Sequence, residues 1–151
     1  MRQDLFIRLL TVSLYGVLVA GIAITASLPW MLDFYLERGF GTTFSPDYRA
    51  FVLPFLMVVA VPCLWIVAEM IFMMRSIPKG PFVQRNVRAL KRVGVLFLGL
   101  SAAFVFKCFF YLTALTLFCA FLFIGAGLFA FTFAALIRQS VEFREEIDLT
   151  I

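Results

Sequence analysis

The chain has 151 residues, of which 64% are hydrophobic and only 15% charged, with 20 phenylalanines among them. Soluble domains run at about 45–50% apolar and about 25% charged, and a water-soluble fold of this size could not hide the excess. The net charge of +4 does not point to direct nucleic-acid binding, because the 13 Lys and Arg gather at the ends of apolar runs instead of spreading over a soluble face.

At the N-terminus Arg2 and Arg8 precede an uncharged run from Leu9 to Leu32. Signal-peptide cores are about 7–15 residues long, so this run reads as a retained helix over 9–32. At 1.5 Å per residue it reaches about 36 Å, enough to cross a hydrocarbon core of about 30 Å. The segment Asp33 to Arg49 that follows is mixed in charge, and its Phe34, Tyr35, Phe40, Phe44 and Tyr48 suit the headgroup level.

A second helix is expected over 50–74, with Pro54 in its first turn and Pro62 kinking its middle. It carries Glu69, the sole acid inside an expected span. A charge at the bilayer centre costs about 2.5–3.5 kcal/mol on insertion scales, so an intramembrane acid is a candidate functional group. Two readings stay open: Glu69 carries a proton or binds a cation, or it is an interfacial ion pair with Arg75 or Arg138.

Residues 75–92 form a basic loop with Arg75, Lys79, Arg85, Arg88, Lys91 and Arg92 and no acid. Its latter part reads as an amphipathic helix, because Val83, Val87 and Leu90 cluster on one side of a wheel and Arg85, Arg88 and Arg92 on the other. Such a helix lies on anionic lipid, docks a cytoplasmic protein, or simply fixes topology. Between Val93 and Ile137 the sole charge is Lys107, and the stretch is twice what one span needs. It divides into helices over 87–110 and 114–137, with a tight turn at Tyr111 to Thr113 and Lys107 snorkelling to the outer interface. The tail 139–151 carries Glu142, Glu145, Glu146 and Asp148 against Arg144, and ends in the strand formers Leu149, Thr150 and Ile151. A salt contact between tail and basic loop is a further expectation.

The expected fold is therefore an all-α integral membrane protein, a single domain forming a four-transmembrane-helix bundle. Arg2, Arg8, the six loop cations, Arg138 and Arg144 fall on one side, and Arg38, Arg49 and Lys107 on the other. The positive-inside rule puts the first group, and with it both termini, in the cytoplasm. Lipid does not drive helices together, so small residues must let them approach. Ala126, Ala130 and Ala134, Gly16 and Ala20, and Gly99 and Ala103 are such faces, serving either the bundle or a homo-oligomer. Cys63, Cys108 and Cys119 lie in apolar runs without CxxC spacing, and the chain has no histidine, so no metal and no cofactor is expected.

Gly80, Pro81 and Phe82, then Asn86, Val87, Arg88 and Leu90, together with the ending EEIDLTI at 145–151, give the chain a family likeness. It resembles the bacterial membrane family known as domain of unknown function 2975, with four spans, a PF-x-x-x-N-x-x-x-L element before the third and an EENDLT[IV] end. Ile147 departs from that pattern, which more often has Asn. Members are often encoded beside a small helix-turn-helix regulator. The resemblance implies a non-enzymatic regulatory protein of the bacterial inner membrane that binds or sequesters such a DNA-binding regulator. The candidate residues for that partner or for lipid are Arg85, Asn86, Arg88, Lys91, Arg92, Glu145, Glu146 and Asp148. The alternative is a small proton-coupled exporter using Glu69. Enzymatic chemistry is disfavoured, since the chain offers no His, no paired membrane acids and no Ser or Cys motif.

Overall fold

Long runs of Leu, Val, Phe and Ala leave the backbone no water to bond, so each segment has to satisfy its own peptide groups, and a helix does this within one stretch of chain. The computed structural model describes residues 2–38, 46–76 and 84–150. They form α1 (Arg2–Glu37), α2 (Pro46–Ser76), α3 (Gln84–Phe110) and α4 (Ala114–Leu149), with no strand among the described residues. All four helices are long and apolar enough to cross a membrane. Each runs beyond the span expected from hydropathy, because helix continues into polar flanks that the apolar run does not reach. α2 stays helical through both Pro54 and Pro62.

The distribution of polarity is the reverse of that in a soluble protein. Phe109 is 83% and Leu115 72% exposed, whereas Glu69, Asn86, Ser101, Lys107 and Thr116 are buried. An apolar exterior around a partly polar interior is stable in lipid and unstable in water. The chain is a multi-pass, all-α membrane protein.

The chain divides into two units, Met1–Ala68 and Glu69–Ile151. In the first, α1 and the adjoining part of α2 run antiparallel. Arg49 clamps Asp33 at one end with bonds of 2.6 and 2.9 Å, and a Cβ on Gly21 would stand 3.0 Å from Leu64 deeper in. Phe34 and Tyr35 belong to α1, and Tyr48, expected at the headgroups, is buried. Phe40 and Phe44 lie outside the described residues.

The second unit holds the end of α2 and an antiparallel hairpin of α3 and α4. Gly94 lies under the Phe131 ring, and a Cβ on Gly127 would stand 3.1 Å from Leu98 and 3.3 Å from the Gly94 carbonyl oxygen. Farther along, Ser101 Oγ donates to the Ala120 carbonyl at 3.0 Å, and Phe123 packs against Phe97 and Phe104. The helices thus meet through small residues, with Ala130 and Ala134 buried as expected. Gly16 and Gly99, by contrast, have open space among the described residues where a Cβ would stand.

The turn at Tyr111 to Thr113 ends on Thr113, whose hydroxyl accepts from the Thr116 amide and caps α4. Lys107 does not reach outward to water. Its ammonium turns across the hairpin and donates to Thr116 Oγ1 at 3.0 Å, with the residue 7% exposed. This bond offers the charge a partner without thinning the bilayer around it. Thr116 serves both this lysine and the cap, so Thr116→Val, which keeps shape and removes the hydroxyl, is expected to destabilise the hairpin by about 1–2 kcal/mol. Thermal unfolding in detergent micelles, followed by circular dichroism, checks this, and an unchanged melting curve would refute it.

The tail also differs from expectation. α4 continues to Leu149, and Thr150 closes it with its hydroxyl 2.8 Å from the Glu146 carbonyl and 2.9 Å from that of Ile147. Leu149 and Thr150, expected as strand formers, are therefore the helix end and its cap. Glu142 supports the continuation by bonding Arg138 at 2.8 Å one turn back.

Candidate functional site

The candidate residues gather at the end of the second unit where α2 finishes, α3 begins and α4 leaves the hairpin. Glu69 lies two turns before the end of α2, and its carboxylate is only 10% exposed. It forms an ion pair with Arg92, whose Nη1 lies 3.3 Å from Oε1. Arg138 is instead committed to Glu142 along its own helix. Arg92 keeps 59% of its side chain exposed, so the pair joins a buried carboxylate to a cation at the surface.

Two turns on, the Ser76 hydroxyl sits 2.6 Å from Asn86 Oδ1 and 2.7 Å from the Met73 carbonyl, and its single proton serves one acceptor at a time. This ties the end of α2 to the first turn of α3. Asn86 is 4% exposed, so it is a packing residue of this junction, not part of an outward-facing surface. Between the two polar links lies a cleft of about 180 Å³, walled by Glu69, Phe72, Met73, Arg85, Asn86 and Arg92.

On the outer side of α3, Arg85, Arg88, Lys91 and Arg92 are all exposed and line one hollow of about 570 Å³. At 100° per residue they occupy an arc of about 120°. The buried Asn86, Val87 and Ala89 fall on the other side. This is the amphipathic segment read from the sequence, now continuous with the spanning part of α3; Val83 lies outside the described residues.

Glu145, Glu146 and Asp148 are exposed on the last turns of α4, as are the apolar Phe143, Ile147 and Leu149. Gly94 faces Gly127 and Ser101 faces Ala120, so Arg85 stands level with the stretch around Leu136. Glu145 to Asp148 then stand about 13–18 Å farther out along α4. Among the described residues no ion pair joins these acids to the basic ridge, and the expected salt contact between tail and loop is not formed. The straight continuation of α4 carries the acids past the cations.

Sequence reasoning missed Ser76, Ser101, Thr116, Gly94 and Gly127. A signal for three of them was present: Gly94 and Ser101 are seven residues apart, and Gly127 stands seven residues from both Ala120 and Ala134. A seven-residue recurrence of small residues marks a seam between two helices running nearly parallel to one axis.

Fold and site together define a multi-pass all-α membrane protein with a polar junction, a cationic ridge and an acidic helical extension at one end of its second unit. No protein-family model matches the chain, and neither does any curated protein or any solved structure.

Proposed function

We propose that this chain is a non-enzymatic regulatory protein of the bacterial inner membrane that holds a small helix-turn-helix transcription regulator at its cytoplasmic face. The observation that carries this reading is the extension of α4. An exposed helix with Glu145, Glu146 and Asp148 beside Phe143, Ile147 and Leu149 offers anchors and charge to a soluble partner. DNA-binding domains present basic surfaces, which such an acidic helix complements. The ten basic residues on the same side of the membrane support a cytoplasmic position for it. The likeness of the Pro81 to Leu90 element and of the 145–151 ending to the four-span family named above supplies the class of partner.

The test is a pull-down in detergent with the helix-turn-helix protein encoded beside the gene. The full chain should retain that protein, and a chain ending at Arg138 should not. Replacing Glu145, Glu146 and Asp148 by Lys should abolish retention while leaving the helical spectrum unchanged. Equal recovery with the full and shortened chains would refute the reading.

A further inference from the structure

Three of the four cations on the α3 ridge have no counter-charge among the described residues. Arg92 is engaged by Glu69, but Arg85, Arg88 and Lys91 make no ion pair among the described residues. The connecting segment 77–83 cannot supply one, because its sole charged residue is Lys79. Glu142 is held by Arg138, and Glu145, Glu146 and Asp148 stand about 13–18 Å beyond the ridge along α4. A second copy in the same membrane would carry its acids at that same greater height, so it does not neutralise the ridge either.

The depth of the ridge identifies what does. From Arg88 to Phe110, the last residue of α3 before the turn, is about 33 Å along the helix, close to the thickness of the hydrocarbon core. Arg88 therefore sits where lipid phosphates sit, with Arg85 one turn outward and Lys91 and Arg92 one turn inward. The four side chains line one hollow, and the positive end of the α3 helix dipole lies at its outer end. Guanidinium groups bind phosphate oxygens in pairs, and a lysine adds a point charge.

We propose that Arg85, Arg88, Lys91 and Arg92 form a binding site for the headgroup of an anionic phospholipid that carries more than one phosphate charge. Three unneutralised cations on an arc of about 120° fit two phosphates better than one. The site is independent of the regulator reading, since it uses α3 and not the α4 extension. Held there, the lipid lets the ridge rest at the membrane surface while the acidic extension, repelled by the same anionic leaflet, stands clear of it.

The full chain is purified in a neutral detergent and placed in phosphatidylcholine nanodiscs containing either diphosphatidylglycerol or phosphatidylglycerol at equal total charge. Native mass spectrometry after partial delipidation counts the lipid retained per chain. Wild type should retain one diphosphatidylglycerol in preference to phosphatidylglycerol. The triple variant Arg85→Gln, Arg88→Gln, Lys91→Gln should bind it on the order of a hundredfold more weakly, whereas Arg2→Gln with Arg8→Gln, which removes cations elsewhere, should not. If the triple variant does not fold, Arg85→Lys with Arg88→Lys keeps the charge and should still lose the preference for the two-phosphate lipid. Unchanged retention in a folded variant, or no preference between the two lipids, overturns the proposal. So does displacement of the bound lipid by inorganic pyrophosphate, which would assign the hollow to a soluble anion.

Discussion

Gly127→Leu is expected to drive α3 and α4 apart, whereas Gly99→Leu, on a face that sequence spacing also nominates for packing, should leave the hairpin intact. At Gly127 a Cβ would already stand 3.1 Å from the Leu98 side chain and 3.3 Å from the Gly94 carbonyl oxygen. Leu98 can rotate away, but the Gly94 oxygen belongs to the backbone of α3 and moves only if the helix moves. The further carbons of a leucine have no room in that direction. Overpacking of this kind costs about 1–3 kcal/mol, and lipid offers no hydrophobic drive to hold separated helices together. At Gly99 no described residue stands within 4 Å of an added Cβ, so the side chain enters open space. Cys108 and Cys119 are half-buried free thiols on the same two helices, and a thiol-reactive fluorogenic dye reads their exposure on heating. The Gly127 variant should melt several degrees below wild type and the Gly99 variant at the wild-type temperature; equal melting of the two variants would show that the seam lies elsewhere.

The spans were legible because hydropathy is a property of composition over a window, and every described helix coincides with an apolar run or its flank. The extent of α4 was not. Gln139 to Leu149 is polar enough to read as tail, and what extends the helix is local: the Arg138–Glu142 bond one turn apart and the Thr150 cap at the end. The seam was half legible. Ala130 and Ala134 were found by four-residue spacing, but the same rule nominated Gly16 and Gly99, and only the seven-residue recurrence of Gly94 with Ser101 and of Ala120 with Gly127 and Ala134 separates packed from open faces. Glu69 was recognisable as the exceptional acid, yet its partner was not, because the choice of Arg92 depends on where the start of α3 meets the end of α2. That junction is set by Ser76 and Asn86, a contact no periodicity announces.

The Glu69–Arg92 pair should respond unequally to losing either member. The carboxylate is 10% exposed and the guanidinium 59%, so removing Glu69 releases a cation that water and headgroups already solvate. Removing Arg92 takes an ion-pair partner away from a buried charge. Arg92→Met is therefore expected to cost about 1–3 kcal/mol, below the range for fully buried pairs because half of the arginine lies in a screened environment. Glu69→Met should be close to neutral, and the double variant Glu69→Met with Arg92→Met should recover most of the loss, which chemical denaturation in micelles measures as a coupling energy. A proton-coupled exporter would behave differently. There the carboxylate must exchange its partner for a proton or substrate during each cycle, so Glu69→Gln would abolish function while leaving stability alone. In the regulatory reading the pair is a pin between α2 and α3, and Glu69→Gln should still retain the regulator on the α4 extension.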